Sequence, residues 1–499
     1  MENNEAQTKK PFLDKKFGYV AKGSSLKTEA VAGLTTFLAM AYILIVNSGM
    51  FSALNGVSFD AMYVTTALSA IVGTILIGLL ANLPLAQAPG MGLNAFFVYT
   101  VCFTLGFSYP NALVFVLLDG IVFILLTVTG LRKIVFEAIP PAVKKAIPAG
   151  IGLFIAFLGL QDAKLVIPDS STGVTLASFN LFGGAKWADV MPLIVAVISL
   201  LLIAIFSQKK IKGGILYGIL GGTVLYYLLG FTVKDFYAME FILIVYSGMF
   251  YALNGVCFDS MYFTTALAFC MVDMFDTMGT LYGACRGGNL LVDNGNGELE
   301  VPNMNKAMLA DAIATCTGAA LGTSTVTTFV ESSAGVAAGG KSGMTSLVTA
   351  GMFVLALFLA PLAKLIPAYA YGAALIYVGI LMIGSVKDVD WSDVSVAVPA
   401  FLTMAMIGPF FVQMENLIVD ITRFTLRLPL GIGAFLCGAA YPLTVVFGTH
   451  HMFGVLETGM LAEPGKNMWI QVSSSANFAM CMACLAVFFK TRSRKVKAV

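Results

Sequence analysis

Two stretches decide the fold of this chain. The first is Gly322-Thr-Ser-Thr-Val-Thr-Thr-Phe-Val-Glu331-Ser-Ser-Ala-Gly-Val-Ala-Ala-Gly-Gly-Lys341-Ser-Gly343. The second is Leu83-Pro-Leu-Ala-Gln-Ala-Pro-Gly90-Met-Gly-Leu-Asn94. Each is a Gly-, Pro-, Ser- or Thr-rich break between strongly apolar segments. In lipid no backbone group can stay unpaired, so such a break has to face protein or a water-filled cavity. The first break also carries a carboxylate, Glu331, and an acid at that depth is costly and marks a functional-site candidate. Two interrupted segments in opposite halves of a polytopic chain point to a substrate site near the bilayer midplane.

Composition supports the membrane reading. Of 499 residues, 58% are hydrophobic and 11% charged, against roughly 25% charged in a soluble domain. Mean hydropathy is +0.88. The net charge of +2 gives no reason to expect nucleic acid. The eight cysteines are scattered through apolar segments, which reads as reduced packing thiols rather than a disulfide framework. Cys481 and Cys484 form a CxxC, but with no second ligand pair, so no metal site is expected. The N-terminus is polar and has no leading apolar core, so no cleavable signal peptide is expected.

A spanning helix needs about 20 apolar residues. Full-length candidates are 28–51, 64–82, 111–130, 190–207, 213–232, 343–365, 393–413 and 429–448. Shorter ones are 92–107, 147–162, 262–283, 306–321, 368–386 and 474–490. Lys9, Lys10, Lys15 and Lys16 precede the first span, Lys209, Lys210 and Lys212 follow another, and Arg492, Arg494, Lys495 and Lys497 end the chain. The positive-inside rule then puts both termini in the cytoplasm, which requires an even number of spans. About 14 fits. The polar stretch 284–305 reads as an aqueous loop.

The chemistry concentrates in a few acids. Asp273 and Asp276 lie one turn apart on one helix face, in apolar surroundings. With Glu331 they are candidates both for ligand binding and for proton coupling. The bland alternative is that helix N-termini or hydroxyls satisfy them. Asp119, in the span 111–130, is a further membrane acid whose plain reading is a polar contact inside the bundle. Asn94 can donate and accept at once, which suits the edge of a heteroaromatic ring; it equally suits capping the half-helix that starts there. Gly90 and Gly92 let the backbone come close to a ligand. Gly287-Gly288 and Gly295-Asn-Gly297 lack the strand-to-helix setting of a phosphate loop. No catalytic or cofactor motif is present, and an enzyme is not expected.

These residues resemble the xanthine/uracil permease superfamily, in its adenine–guanine–hypoxanthine permease branch. Gly33-Leu-Thr-Thr-Phe-Leu-Ala-Met-Ala-Tyr-Ile-Leu-Ile-Val-Asn47 resembles the family's first helix, and Ala88-Pro-Gly-Met-Gly-Leu-Asn-Ala-Phe-Phe97 its third. Phe275-Asp276-Thr-Met-Gly-Thr-Leu281 resembles part of the eighth, and the Glu331 stretch the tenth. The similarity runs through 27–238 and 270–412. It implies an all-α polytopic membrane protein with an inverted 7+7 repeat, a core and a gate domain, and two half-helices preceded by short β-segments. The corresponding division is a cytoplasmic tail 1–27, core 28–130 and 268–365, and gate 131–238 and 366–427. The resemblance implies proton-coupled uptake of purine nucleobases (adenine, guanine, hypoxanthine) at the inner membrane, and leaves room for a homodimer. Asn94, Asp273, Glu331, Gly92 and Ser332 would form the substrate site; Asp273, Asp276 and Glu331 would couple protons.

Two departures stand out. Residues 242–267 repeat 43–68 at about 21 of 26 positions, a direct copy where transporter repeats are normally inverted and weak. It occupies 239–267, just ahead of Asp273. Residues 428–499, with His450, His451 and Glu457, resemble the membrane component of phosphotransferase-system sugar permeases. The alternatives are therefore a sugar-permease-like protein or a composite membrane protein that does not transport. Lys341 also stands where the family usually has Arg.

Overall fold

The structure, a computed structural model, describes residues 12–130, 141–169, 173–179, 186–229, 260–287, 290–293 and 299–407. Residues 242–259 of the near-copy lie outside them, as does everything from 408 on, including His450, His451, Glu457 and the CxxC at 481–484. Residues 260–267 form the first turns of a helix.

Helices dominate. In chain order they begin with α1 (Phe12–Phe17), α2 (Leu26–Met40), α3 (Ile43–Phe51) and α4 (Phe59–Leu76), which continues as a π-turn to Ala81. Strand β1 (Gln87–Pro89) is followed by the short α5 (Met91–Ala95), prolonged by a π-segment to Thr104, and then α6 (Tyr109–Thr129). Next come α7 (Pro141–Asp162), the hairpin β2 (Val166–Asp169) and β3 (Gly173–Leu176), α8 (Trp187–Gln208) and α9 (Gly214–Leu228). Further on lie α10 (Ser260–Gly287), the strands β4 (Val292–Asp293) and β5 (Leu299–Glu300), and α11 (Met304–Leu321). Then follow β6 (Val326–Thr328), α12 (Ser332–Ala337), α13 (Gly343–Leu357), α14 (Ala360–Ala363), α15 (Ala368–Ile383) and α16 (Val394–Ile407).

The chain separates into two compact units, one of residues 1–256 and 266–388 and one of 257–265 and 389–499. In the second, α16 starts on Asp393, whose carboxylate accepts from Ser395 N (2.9 Å) and Ser395 Oγ (2.7 Å). Everything below concerns the first unit.

Among the described residues, four helical stretches are long and apolar enough to cross a membrane: Leu26–Phe51, Phe59–Ala81, Tyr109–Thr129 and Trp187–Gln208. Shorter apolar helices include Met91–Phe103, Gly214–Leu228, Gly343–Leu357 and Ala368–Ile383. The segment expected as one span over 343–365 is divided into α13 and α14, and part of the expected loop 284–305 is the end of α10 and the β4–β5 pair.

Serine caps start several helices. Ser25 accepts from Thr28 N and Ser58 from Ala61 N, and Ser342 accepts from Met344 N at the head of α13. That head has a second cap. The carboxylate of Glu29, wholly buried on α2, accepts from Lys341 N (3.1 Å), Ser342 Oγ (2.9 Å), Thr345 N (3.2 Å) and Thr345 Oγ1 (2.6 Å). A buried anion is tolerable when its lone pairs are filled in this way.

Helix packing follows small residues, as expected where lipid gives no hydrophobic drive to association. On α7 and α15, Gly152 faces Gly379 and Gly159 faces Gly372. A Cβ on Gly159 would lie 2.6 Å from Gly372 O, so the two backbones touch at both pairs. Helix α15 also packs on α8, and α8 on α9. A second group surrounds the breaks: α2 packs on α12 and α13, α4 on α3, α11 and α13, and α6 on α11.

Glu29→Ala removes an acceptor for four donors at the head of α13. Charge-assisted bonds contribute about 1.5–3 kcal/mol each, so the detergent-solubilised variant is expected to melt several degrees lower, with Glu29→Gln in between. Unchanged melting of Glu29→Ala would show that the cap contributes no stability.

Candidate functional site

Strands β1 and β6 pair antiparallel, with Gln87 opposite Thr328, Ala88 opposite Thr327 and Pro89 opposite Val326. Each break thereby satisfies the backbone of the other. Two flanking bonds extend the ladder: Gly90 N donates to Thr325 O and Phe329 N to Ala86 O, both at 3.0 Å. Pro89 has no N–H to offer and closes the strand at its end. The outer edges are closed by hydroxyls from neighbouring helices. Thr74 on α4 accepts from Gln87 N and donates to Gln87 O, both at 3.0 Å. Thr315 on α11 does the same for Val326, both at 3.2 Å. A three-residue ribbon thus lies in the helix packing with no bare edge.

Both strands run directly into short helices, α5 after β1 and α12 after β6. Because the strands are antiparallel, the helices start at opposite ends of the ribbon and point away from it. Glu331 sits in the turn that opens α12, at partial exposure. Its Oε1 accepts from Tyr42 Oη at 2.5 Å. Tyr42 is wholly buried at the break between α2 and α3. Asp276 approaches the ribbon from α10: its Oδ2 accepts from Thr327 Oγ1 at 3.3 Å, and it also faces Gly90, where a Cβ would come within 2.7 Å of Thr327 Oγ1. Asp276 and Glu331 are electrostatic neighbours and both are only partly covered.

The other expected residues fall in different places. Asn94, fully buried, donates from Nδ2 to Pro89 O (3.2 Å) and accepts at Oδ1 from Ser324 Oγ (2.5 Å). It ties the start of α5 to the segment before β6, and it does not cap the helix, whose N-cap position is Gly90. Ser332 Oγ accepts from Ala86 N at 2.9 Å and so joins the two breaks directly. Gly92 faces Ile151 on α7, so its missing side chain serves helix packing rather than an approach to the ribbon. Asp273 is not at the ribbon. It is fully buried one turn before Asp276, and among the described residues neither carboxyl oxygen has a hydrogen-bond partner. Phe97 is core, packed on Phe51 (5.1 Å between centroids) and Tyr109 (5.8 Å).

The sequence reading missed Tyr42, Thr74, Thr315, Gln87 and Asp311. Gln87 Nε2 donates to Asp311 Oδ1 (2.9 Å) and to Thr328 Oγ1 (3.2 Å), and Thr277 Oγ1 donates to Asp311 Oδ2 (2.8 Å). Asp311 lies in the apolar segment 306–321, the same signal that drew attention to Asp119. Buried and without partners near the ribbon are Gln87 Oε1, Thr325 Oγ1 and Asn47 Oδ1. A buried polar atom left unpaired is costly, so these suit a polar guest. Among the described residues no cluster of side chains has the arrangement of a metal site.

The architecture is that of a membrane transporter. The transmembrane domain of the cyanobacterial bicarbonate transporter BicA shares the fold, with TM-score 0.56 at 15% identity, over 78% of this chain and 96% of that one. The structure of SLC26A9 is also similar, with TM-score 0.51 at 14% identity, over 86% and 67%. The chain belongs to the xanthine/uracil permease family, whose model, described as a permease family, matches residues 27–411. Its members are transporters, not enzymes. A putative permease of Methanocaldococcus jannaschii is 38% identical over 89% of this chain and 98% of its own length. That match leaves fewer residues unmatched than 428–499 contains, so it runs into the C-terminal segment. The guanine/hypoxanthine permease PbuO of Bacillus subtilis is 38% identical over 76% of this chain and 86% of its own. The adenine permease AdeP of Escherichia coli is 35% identical over 80% and 86%.

The register is open to direct test. Directly opposed residues of an antiparallel pair lie about 5 Å apart, within reach of a disulfide. In a background without native cysteines, Ala88→Cys with Thr327→Cys is expected to cross-link on mild oxidation, and Ala88→Cys with Val326→Cys far less. The reverse order of yields would refute the register.

Proposed function

We propose that the protein takes up purine nucleobases (adenine, guanine or hypoxanthine) across the cell's inner membrane, coupled to protons. The observation that carries this reading is the meeting of Glu331 and Asp276, two partly covered acids, at the crossing of two interrupted segments in a chain of this family. A purine is flat, apolar on its faces and rich in N–H donors and ring acceptors at its edge. Carboxylates with the unpaired Gln87 and Thr325 oxygens nearby offer acceptors for such donors. In this reading Glu331 and Asp276 hold the purine edge, Asn94 and Ser332 frame the breaks, and Asp273 serves coupling rather than direct contact. The relatives PbuO and AdeP, by name permeases for guanine/hypoxanthine and adenine, support the substrate class.

The finer architecture belongs to the same reading: about 14 spans in two inverted repeats of seven, both termini cytoplasmic, and a homodimer as the working assembly. The two helix groups, α2–α6 with α11–α13 and α7–α9 with α15, support a core moving against a gate. Alternating access then rocks the gate past the ribbon.

The test is uptake of radiolabelled adenine, guanine and hypoxanthine into a bacterial host stripped of its own purine permeases, at two external pH values. Wild type is expected to accumulate at least one of them, more at the lower pH. Glu331→Gln and Asp273→Asn are each expected to abolish net uptake with membrane insertion intact. Binding without uptake in the wild type would support a non-transporting composite instead, and uptake by Glu331→Gln at the wild-type rate would remove that acid from the site.

A further inference from the structure

Behind the ribbon lies a second group of acids that the purine site does not use. Asp119 on α6 and Asp273 on α10 are wholly buried, and among the described residues no N–H or O–H group donates to any of their four carboxyl oxygens. Cys270, one turn before Asp273 on α10, has its thiol beside Asp119. The strongest charged neighbour of Asp273 is Asp119, followed by Asp311 and Asp276. The helices are held tight at this level: a Cβ on Gly120 would lie 2.5 Å from Cys316 Sγ and 3.0 Å from Cys316 N on α11.

Asp311 is the contrast. It is equally buried, yet it accepts from Gln87 Nε2 and Thr277 Oγ1 at 2.9 and 2.8 Å, with Thr328 Oγ1 at 3.5 Å. Asp311 is thus well served by donors, while among the described residues Asp119 has only the Cys270 thiol beside it and Asp273 has no donor. Two bare anions side by side in a dry interior cost several kcal/mol each. A positive ion has to accompany them. Among the described residues no group converges as a metal site, and a carboxyl needs no cage to take up a proton. The titratable groups facing the pair are Cys270 and Asp276 from α10, and Asp311 and Cys316 from α11. All are acids or thiols, so among the described residues no base supplies the compensating charge.

We propose that Asp119 and Asp273 form the coupling site, a proton-binding pair separate from the purine site and linked to it through Asp311 and Gln87. This rests on the transport reading above and names where its coupling ion sits. One proton binds the pair in the outward-open carrier and is released to the cell after the turnover. Gln87 belongs to β1, so a change in the ribbon is felt at Asp311 and from there at the pair. The purine and the proton then favour the same conformer through separate contacts, which is what coupling requires.

The experiment uses the full chain in proteoliposomes, with radiolabelled adenine and hypoxanthine and an internal pH dye. Two readouts are taken: purine exchange with purine on both sides, and proton influx driven by added purine. Asn has the shape of a neutral Asp, so Asp119→Asn mimics the loaded pair. Exchange is expected to stay within about twofold of wild type while purine-driven proton influx falls at least about tenfold, since the differential interaction with the ion is gone. Proton influx at the wild-type level in Asp119→Asn would overturn the proposal, as would loss of exchange in the folded variant. Should Asp119→Asn fail to reach the membrane, Asp273→Asn is judged by the same two readouts, with the same outcomes. Wild-type protein that exchanges purine without moving protons would overturn this proposal alone. Wild-type protein that exchanges no purine would overturn the transport reading itself.

Discussion

Everything in the first unit depends on one exchange of hydrogen bonds, that between β1 and β6. Two chain segments stop being helical in the middle of an apolar bundle. Water is not there to receive the freed backbone groups, so the segments must satisfy one another. That requirement brings residues more than two hundred positions apart into register and fixes where the following half-helices begin. Thr74 and Thr315 complete it by closing the two outer edges. The ribbon in turn fixes the surroundings of Glu331, Asp276 and Asp311.

The acids around the ribbon differ by access. Asp276 and Glu331 keep partial exposure and have one hydroxyl donor each. Asp311 is sealed and fully served by donors. Asp119 and Asp273 are sealed, and among the described residues only the Cys270 thiol stands beside them as a donor. Composition alone would group all five as membrane acids, yet their surroundings set them apart. Asp276 and Thr277 are adjacent on α10 and point about 100° apart, so one helix reaches both Thr327 on the ribbon and Asp311 on α11.

Much of this was legible beforehand. Pro84, Pro89, Gly90 and the Ser/Thr run before Glu331 announced the breaks, because such residues cannot continue a helix without cost. The family resemblance was carried by the same residues. What could not be read was the destination of individual polar side chains. A hydroxyl in an apolar helix can bond back to its own turn, as Ser48, Ser199, Thr223 and Thr317 do. It can equally cross to a strand, as Thr74 and Thr315 do, and the sequence is the same in both cases. Tyr42 was hidden for a related reason: in a row of large apolar residues its hydroxyl carries no periodic signal. Gly92 illustrates the opposite error, a glycine next to a presumed ligand site whose real constraint is Ile151 on another helix.

Helix α2 and its C-terminal end grip the segment from Glu331 to the head of α13 at two levels. Glu29, near the start of α2, holds residues 341–345, and Tyr42, just past its end, holds Glu331. Tyr42 lies thirteen positions after Glu29, about 20 Å at 1.5 Å per residue. Helix α2 is therefore a splint bound across α12 and the head of α13. A half-helix so short could hardly keep its direction by itself, and the splint supplies the stiffness it lacks. Displacing Glu331 without α2 would break its bond to Tyr42, so the two are coupled mechanically as well as chemically.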